Sequence, residues 1–334
     1  EGTRRDVAGP VIDMLFPLEI DYIEVVRGTN DPRYGLHNIG GNINFGTRQG
    51  GGYTDARLSY GSFNTRGAQV AIGREHGGFS QNYFVGALAS DGYRDHDASK
   101  KYSIGGKWFY GNLEEGARIG LTARTYHQEA DEPGFMTADE LSADRRGSEL
   151  RNRNDGDKRD MQQAAIHMDL GLAEGLVLGS KLYYNRYNDD RRVTFSDLPT
   201  GNAPRQRRIW DEKQIGLLTT LTWVASNALT LEGGFNYEHQ QNHYRRERFN
   251  YAKPTDFARP PARIQNDDFH TFDNWGAYVQ AIYQPTEALT IVPAYRVDRF
   301  DGMTNLLGGT RAPLQDYGTI GQPKLSVVYA MTPR

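Results

Sequence analysis

Residues 118–126 read RIGLTARTY, which puts Ile119, Leu121, Ala123 and Thr125 on one side of an extended backbone and Arg118, Thr122, Arg124 and Tyr126 on the other. Residues 229–238, LTLEGGFNYE, set Leu229, Leu231, Phe235 and Tyr237 against Thr230, Glu232, Asn236 and Glu238. Residues 289–298, LTIVPAYRVD, set Leu289, Ile291, Pro293, Tyr295 and Val297 against Thr290, Arg296 and Asp298. Successive side chains leave opposite faces of a strand, so alternation with period two predicts strands with unlike faces. The same reading predicts strands near 53–61, 66–75, 79–90, 101–111, 116–127, 161–172, 176–187, 213–224, 228–240, 272–284, 288–300 and 317–331.

The connections choose among all-β folds. HGG at 76–78, NLEE at 112–115, AEG at 173–175, ASNA at 225–228 and PTEA at 285–288 are short. Those between them, 91–100, 128–160, 188–212, 241–271 and 301–316, are long, with only SFNTR at 62–66 short in that set. Tight turns at one end and long loops at the other mark an up-and-down barrel crossing an outer membrane. A soluble all-β array shares the alternation but rarely holds several structureless loops of this length. The expected fold is an all-β, antiparallel transmembrane β-barrel.

Composition narrows the chemistry. The 334 residues include 20 Tyr, 14 Phe and 38 Gly, an aromatic load unlike that of disordered chains, and the net charge is −3. The chain has no cysteine, which excludes disulfides, thiol nucleophiles and zinc–thiolate sites. No run of 18 apolar residues offers a transmembrane helix. The first residue is Glu1, not Met, and a processed or excised piece is expected.

Residues 22–48, YIEVVRGTNDPRYGLHNIGGNINFGTR, break the strand pattern with two close turns and a double glycine. The ordered run Ile23-Glu24-Val25-Val26-Arg27-Gly28, then Tyr34-Gly35, then Ile39-Gly40-Gly41-Asn42-Ile43-Asn44 resembles the end of the plug domain of TonB-dependent outer-membrane receptors. SYGSFNTRGAQVAIG at 59–73, WGAYVQ at 275–280 and PAYRVDRF at 293–300 are similar to that family's barrel strands. Arg33-Tyr34-Gly35 with Asn44-Phe45, and EPGFMTADELSADRR at 132–146, resemble the ferric dicitrate-like siderophore receptors within it. Independently, Thr137-x-x-Glu140 is a capping box and predicts a short helix in the 128–160 loop.

The resemblance implies a plug inside a barrel of 22 strands, a plugged transporter class. The chain then holds the C-terminal part of the plug in 1–50 and the first half of the barrel in 51–334. It implies active uptake of a ferric siderophore or similar anionic iron chelate across the outer membrane of a Gram-negative bacterium. Energy would come from a TonB-ExbB-ExbD complex acting through an N-terminal region, and the barrel wall would meet lipid and lipopolysaccharide. The alternatives are import of heme, cobalamin or an oligosaccharide through the same architecture, and a passive porin or surface adhesin. A transporter, not an enzyme, is expected, without cofactor.

Candidate ligand contacts follow from chemistry and from the resemblance. Arginine forks suit carboxylates and anionic chelates, and aromatics suit flat ligands. The expected loop 241–271 supplies Tyr244, Arg245, Arg246, Arg248 and Tyr251; 188–212 supplies Arg191 and Arg192 with Arg205, Arg207 and Arg208. Tyr34, His37 and Asn38 fall where the resembling receptors place an apical plug loop. Arg27, at the end of an apolar run, is expected to pair with lumen-facing Glu232 or Glu238. Other signals are weak. His239 and His243 have a helical metal spacing but lie where a strand is predicted to end, Asn154, Asp155 and Asp157 lack the closing Glu of a calcium loop, and basic-aromatic loops on a slightly acidic chain do not argue for nucleic acid. No protease, P-loop or dinucleotide fingerprint occurs.

Overall fold

The computed structural model describes residues 14–35, 40–194, 205–249 and 260–331. Two sheets account for nearly all of it. The small one pairs β1 (Ile20–Arg27) with β2 (Gly41–Thr47) antiparallel. The large one is an antiparallel meander: β3 (Tyr53–Gly61), β4 (Thr65–His76), β5 (Phe79–Ser90), β6 (Ser99–Asn112), β7 (Ala117–Asp131), β8 (Gly156–Ala173), β9 (Leu176–Thr194), β10 (Arg205–Ser226), β11 (Leu229–Phe249), β12 (Arg263–Thr286) and β13 (Leu289–Asn305) each pair with the next. Two-residue β14 (Ala312–Pro313) and then β15 (Thr319–Tyr329) share the far edge of β13. Among the described residues the one α-helix is α1 (Ala138–Ala143), and no helix is long and apolar enough to cross a membrane.

All twelve expected strands are present, and the short and long connections fall at opposite ends of the sheet. One expectation needs correction. The stretches 188–212 and 241–271 are mostly strand: β9 runs to Thr194, β10 starts at Arg205, β11 runs to Phe249 and β12 starts at Arg263. These extensions carry polar side chains on both faces, so the apolar alternation that marks a strand stops before the strand does. Cross-strand ion pairs continue the ladder instead, such as Arg207 Nη2 to Asp190 Oδ2 at 2.7 Å.

The two faces of the large sheet differ. One carries Val70, Val85, Ile104, Ile119, Leu121, Ile166, Leu182, Ile215, Phe235, Val279, Leu325 and Val327, all exposed. Aromatic Phe79, Tyr110, Trp223, Tyr283 and Tyr329 edge this band near the short turns, and Tyr60, Tyr102, Tyr184 and Tyr237 edge it at the other side. An apolar band between aromatic girdles is the lipid-facing surface of a membrane barrel. The other face is polar and holds residues 14–35 and 40–51.

That inner contact explains the opening break in pattern. Phe16 packs on Phe84 and Ala71 of the sheet, with ring centroids 5.7 Å apart. Gln69 Oε1 accepts from Leu18 N at 3.0 Å, Arg124 Nη2 donates to Glu19 Oε1 at 2.7 Å, and Lys107 Nζ donates to the Thr47 carbonyl at 2.6 Å. Gly28 (φ +82°) turns the chain out of β1, and Gly41 (φ +141°) starts β2 where a Cβ would strike the Val26 carbonyl. Gly35 lies against the Arg296 guanidinium, again too close for a Cβ.

Candidate functional site

The inner face at the long-loop end is built by alternation along strands that outrun the apolar band. On β10 and β11, Arg208 opposes Arg246, Trp210 opposes Tyr244, and Gln206 opposes Arg248. The Trp210 and Tyr244 rings lie 5.2 Å apart, and Trp210 is buried. Asn236, two turns of the alternation below Gln240, belongs to the same face and accepts from Arg296 Nη2 at 2.7 Å, which ties this face to the plug side. The Nε atoms of Arg246 and Arg248 are buried with no hydrogen-bond partner, and among the described residues neither side chain has an ion pair. Two guanidinium groups in no ion pair share this wall, and the carboxylate opposite Tyr244, Asp268, is taken up by Asn266 Nδ2 at 2.8 Å and Leu307 N at 3.2 Å.

Beside it, β8 and β9 present a compensated cluster. Arg159 pairs with the buried Asp157, and its Nε lies 3.8 Å from Asp189, which is itself 0% exposed. Tyr187 donates to Asp189 at 3.2 Å. Arg191 grips Glu132 with both nitrogens, at 2.6 and 2.8 Å.

The expected site residues therefore separate. Tyr244, Arg246 and Arg248 share the inner face; Arg191 shares it but is committed to Glu132. Arg192 and Arg245 are on the outer face, because each is one residue out of phase. Arg245 donates to Glu247 at 2.8 Å and to Asp267 at 3.4 Å. Grouping Arg191 with Arg192, and Arg245 with its two neighbours, holds for a loop and fails for a strand. His37, Asn38 and Tyr251 lie outside the described residues. Tyr34 is half-buried at the turn after β1, with the Arg33 guanidinium 5.6 Å from its ring centre.

Arg27 does not meet Glu232 or Glu238. It is exposed at the end of β1, opposite Gly41. Glu232 accepts from Tyr278 Oη at 2.7 Å and Gln280 Nε2 at 2.9 Å, whereas Glu238 takes Tyr183, Gln214 and Gln240. The contact runs the other way, from sheet cations to plug backbone. Arg296, 1% exposed, donates to the Pro32 carbonyl at 2.9 Å and is held by Asp298 at 2.6–3.0 Å; Lys324 reaches the Thr29 carbonyl. Burying this pair is tolerable because each charge meets its opposite and the remaining donors find oxygens. Sequence reasoning placed Arg296 and Asp298 on a polar face but had no signal for their partner, 264 residues away. It also missed Trp210, whose phase with Glu212 and Gln214 was the available clue.

The loop 132–155 folds over the rim as a self-bonded unit. Thr137 caps α1: its hydroxyl accepts from Glu140 N at 3.3 Å, and the Glu140 carboxylate accepts from Thr137 N at 2.7 Å, the expected capping box. Arg151 bonds both Glu140 oxygens, at 2.6 and 2.7 Å, and with the Thr137 contact holds that carboxyl down at about 2. Arg94 donates to the carbonyls of Gly134, Gly147 and Pro133. Asp155 is buried and accepts from Asn152 Nδ2, Thr194 N and Thr194 Oγ1 at 2.8–2.9 Å; burial pushes its carboxyl up to about 6.

Comparison with known proteins agrees with this architecture. No curated protein matches the chain. Among solved structures, the ferric citrate transporter FecA in its unliganded form aligns with a TM-score of 0.78 at 18% identity, over 96% of this chain and 48% of FecA. The ferric-catecholate import receptor Fiu from E. coli K12 gives 0.68 at 16%, over 94% of this chain and 53% of Fiu. The siderophore receptor PiuA from Acinetobacter baumannii gives 0.71 at 13%, over 94% and 52%. These likenesses establish the fold, and the chain spans about half the length of each of those proteins. The family description "TonB dependent receptor-like, beta-barrel" matches residues 92–334, and the chain belongs to that family of TonB-dependent receptor β-barrels.

Proposed function

We propose that this chain is the plug end (1–50) and half the barrel (51–334) of an outer-membrane receptor that imports a ferric siderophore or similar anionic iron chelate. Coupling to a TonB-ExbB-ExbD complex is part of the proposal. The observation that carries it is the pair Arg246 and Arg248: inner-face guanidinium groups in no ion pair, beside the Trp210–Tyr244 ring pair. Such a wall suits a large anion with a flat aromatic or chelate face. Tyr34 approaches the same lumen from the plug. FecA, Fiu and PiuA carry ferric citrate, ferric-catecholate and siderophore in their descriptions, which favours an iron chelate over cobalamin or a glycan. Residues 14–35 and 40–51 on the inner face speak against an open porin.

The test uses the whole receptor in an outer membrane, with binding of a panel of ferric chelates measured beside growth on each. Replacing Arg246 and Arg248 by Ala is expected to weaken binding by about 1.5–3 kcal/mol for each charged hydrogen bond made. Unchanged binding of every chelate would remove the site; growth on cobalamin or a glycan alone would change the cargo.

A further inference from the structure

Below the Arg246–Arg248 wall, toward the short turns, the inner face of β6–β9 gathers cations. Arg124 opposes Gln163, Lys107 opposes Thr122, His167 opposes Lys181, and Arg118 opposes Asp169, all on successive inner-face rows. Phe109 is buried with the Arg118 guanidinium 4.5 Å from its ring centre and the His167 ring at 5.4 Å. Lys181, Lys107 and Arg118 stand close enough to His167 to act on it electrostatically, with Asp169 acting against them. The inner face of β10–β12 differs. Among the described residues, its stretches 214–224, 230–240 and 274–282 carry Glu232 and Glu238 there and no lysine or arginine. The lower lumen is thus cationic along β6–β9 and acidic along β10–β12.

What meets the cations is oxygen from the plug. Buried Glu19 accepts from Arg124 Nη2 at 2.7 Å, and the same guanidinium donates to the Met14 carbonyl. Lys107 Nζ donates to the Thr47 carbonyl at 2.6 Å, and Gln49 turns its amide oxygen to Arg118. One carboxylate, two carbonyls and an amide stand where the oxygens of an anion would. We propose that this wall is a latent anion track, masked by the plug, along which the imported anion leaves once 14–19 lets go. The inference rests on the proposed import of an anionic chelate and names the side on which it exits. Cations that trade plug oxygen for cargo oxygen are never left buried and unpaired, so the exchange is close to balanced. A row leads to the track from the upper wall: Gln214 opposes Asn185, Asn185 opposes Gln163, and Gln163 opposes Arg124. Asn185 Nδ2 donates to Gln214 Oε1 at 2.8 Å and Gln163 Nε2 to Asn185 Oδ1 at 3.3 Å, so the bridge is neutral. Glu212 and Glu238 flank its β10–β11 end and repel an anion toward Arg124.

The experiment places the full-length receptor carrying this sequence in a planar bilayer under a KCl gradient and raises urea until the plug loosens and current appears. The zero-current potential gives the chloride-to-potassium permeability ratio. Lys181→Glu is expected to lower that ratio about tenfold, as loss of a focusing charge in a cleft. Lys181→Gln should lower it less, and Lys181→Arg should keep it. Thr222→Glu, one unit of charge on the β10 wall, should do less than Lys181→Gln. Glu19→Gln, which leaves Arg124 without its carboxylate, should bring current on at lower urea. In cells, Lys181→Glu should lower the maximal uptake rate of a ferric chelate without changing the concentration for half-saturation of unenergised receptor, and Lys181→Arg should restore the rate. A ratio indifferent to Lys181→Glu, a Thr222→Glu effect equal to that of Lys181→Gln, an unchanged urea threshold on Glu19→Gln, or an unchanged uptake rate would each overturn the track. A receptor that binds no ferric chelate while Lys181→Glu still lowers the ratio would keep the track and remove the chelate reading alone.

Discussion

Two neighbouring parts of the long-loop end handle charge in opposite ways. In the loop 132–155 and the strand ends beneath it, charged groups are matched: Glu140 by Arg151, Glu132 by Arg191, Asp155 by three donors. On β10 and β11, Arg208, Arg246 and Arg248 gather on one wall and the two on β11 lack an ion pair. A matched network rigidifies what it joins because each bond lost strands a buried group. An unmatched one leaves electrostatic work for a ligand. The first region is braced by its own ion pairs, and the second is the surface proposed above to take the chelate.

The strongest way to break that comparison is to reverse the unmatched charges. Arg246→Glu with Arg248→Glu should weaken an anionic chelate by about 3–6 kcal/mol, two charged hydrogen bonds together, seen as loss of titratable binding with the barrel still folded. Next, Arg94→Ala removes four donor contacts to three loop carbonyls and should release the loop by about 2–4 kcal/mol, read as faster amide exchange across 132–155.

Asp155 sharpens the comparison through pH. Its docked carboxyl titrates near 6 against a usual 3.8, so the docked loop holds its proton more tightly than the open one. Docking is then strongest below about pH 4, weakens as pH rises to about 6, and is flat above, a loss of up to about 3 kcal/mol. With no native cysteine, a single label at Ser142→Cys can follow the loop; equal mobility at pH 4 and pH 7 would refute this. Thr137→Ala should cost about 1 kcal/mol and fray only α1, visible in exchange at Ala138–Ala143. Smallest of all, Arg245→Ala should leave chelate affinity unchanged, since its guanidinium is on the outer face with Glu247 and Asp267. A large loss there would return Arg245 to the ligand set.

The site was legible only in part. The arginine and tyrosine content of 241–249 drew attention to this segment, but reading it as a loop merged inner Arg246 and Arg248 with outer Arg245. The capping box at Thr137 was legible because both partners are three residues apart. The pairing of Arg27 was misjudged: a cation beside an apolar run suggests burial, yet the buried plug contact belongs to Arg296.

By itself the sequence determined what is local. Period-two alternation decides which residues share a face, short polar links decide where hairpins turn, and glycines at 28 and 41 decide where the plug chain can reverse. Only the tertiary structure decided how far the strands run past the apolar band, since beyond the hydrocarbon both faces are polar and hydropathy carries no signal. It alone also decided which cation meets which oxygen. Ladder register brings Glu129 between two lysines and leaves Arg246 facing Arg208, and Pro32 meets Arg296 only once plug and sheet are packed. Coulomb attraction acts through space, and distance along the chain does not encode it.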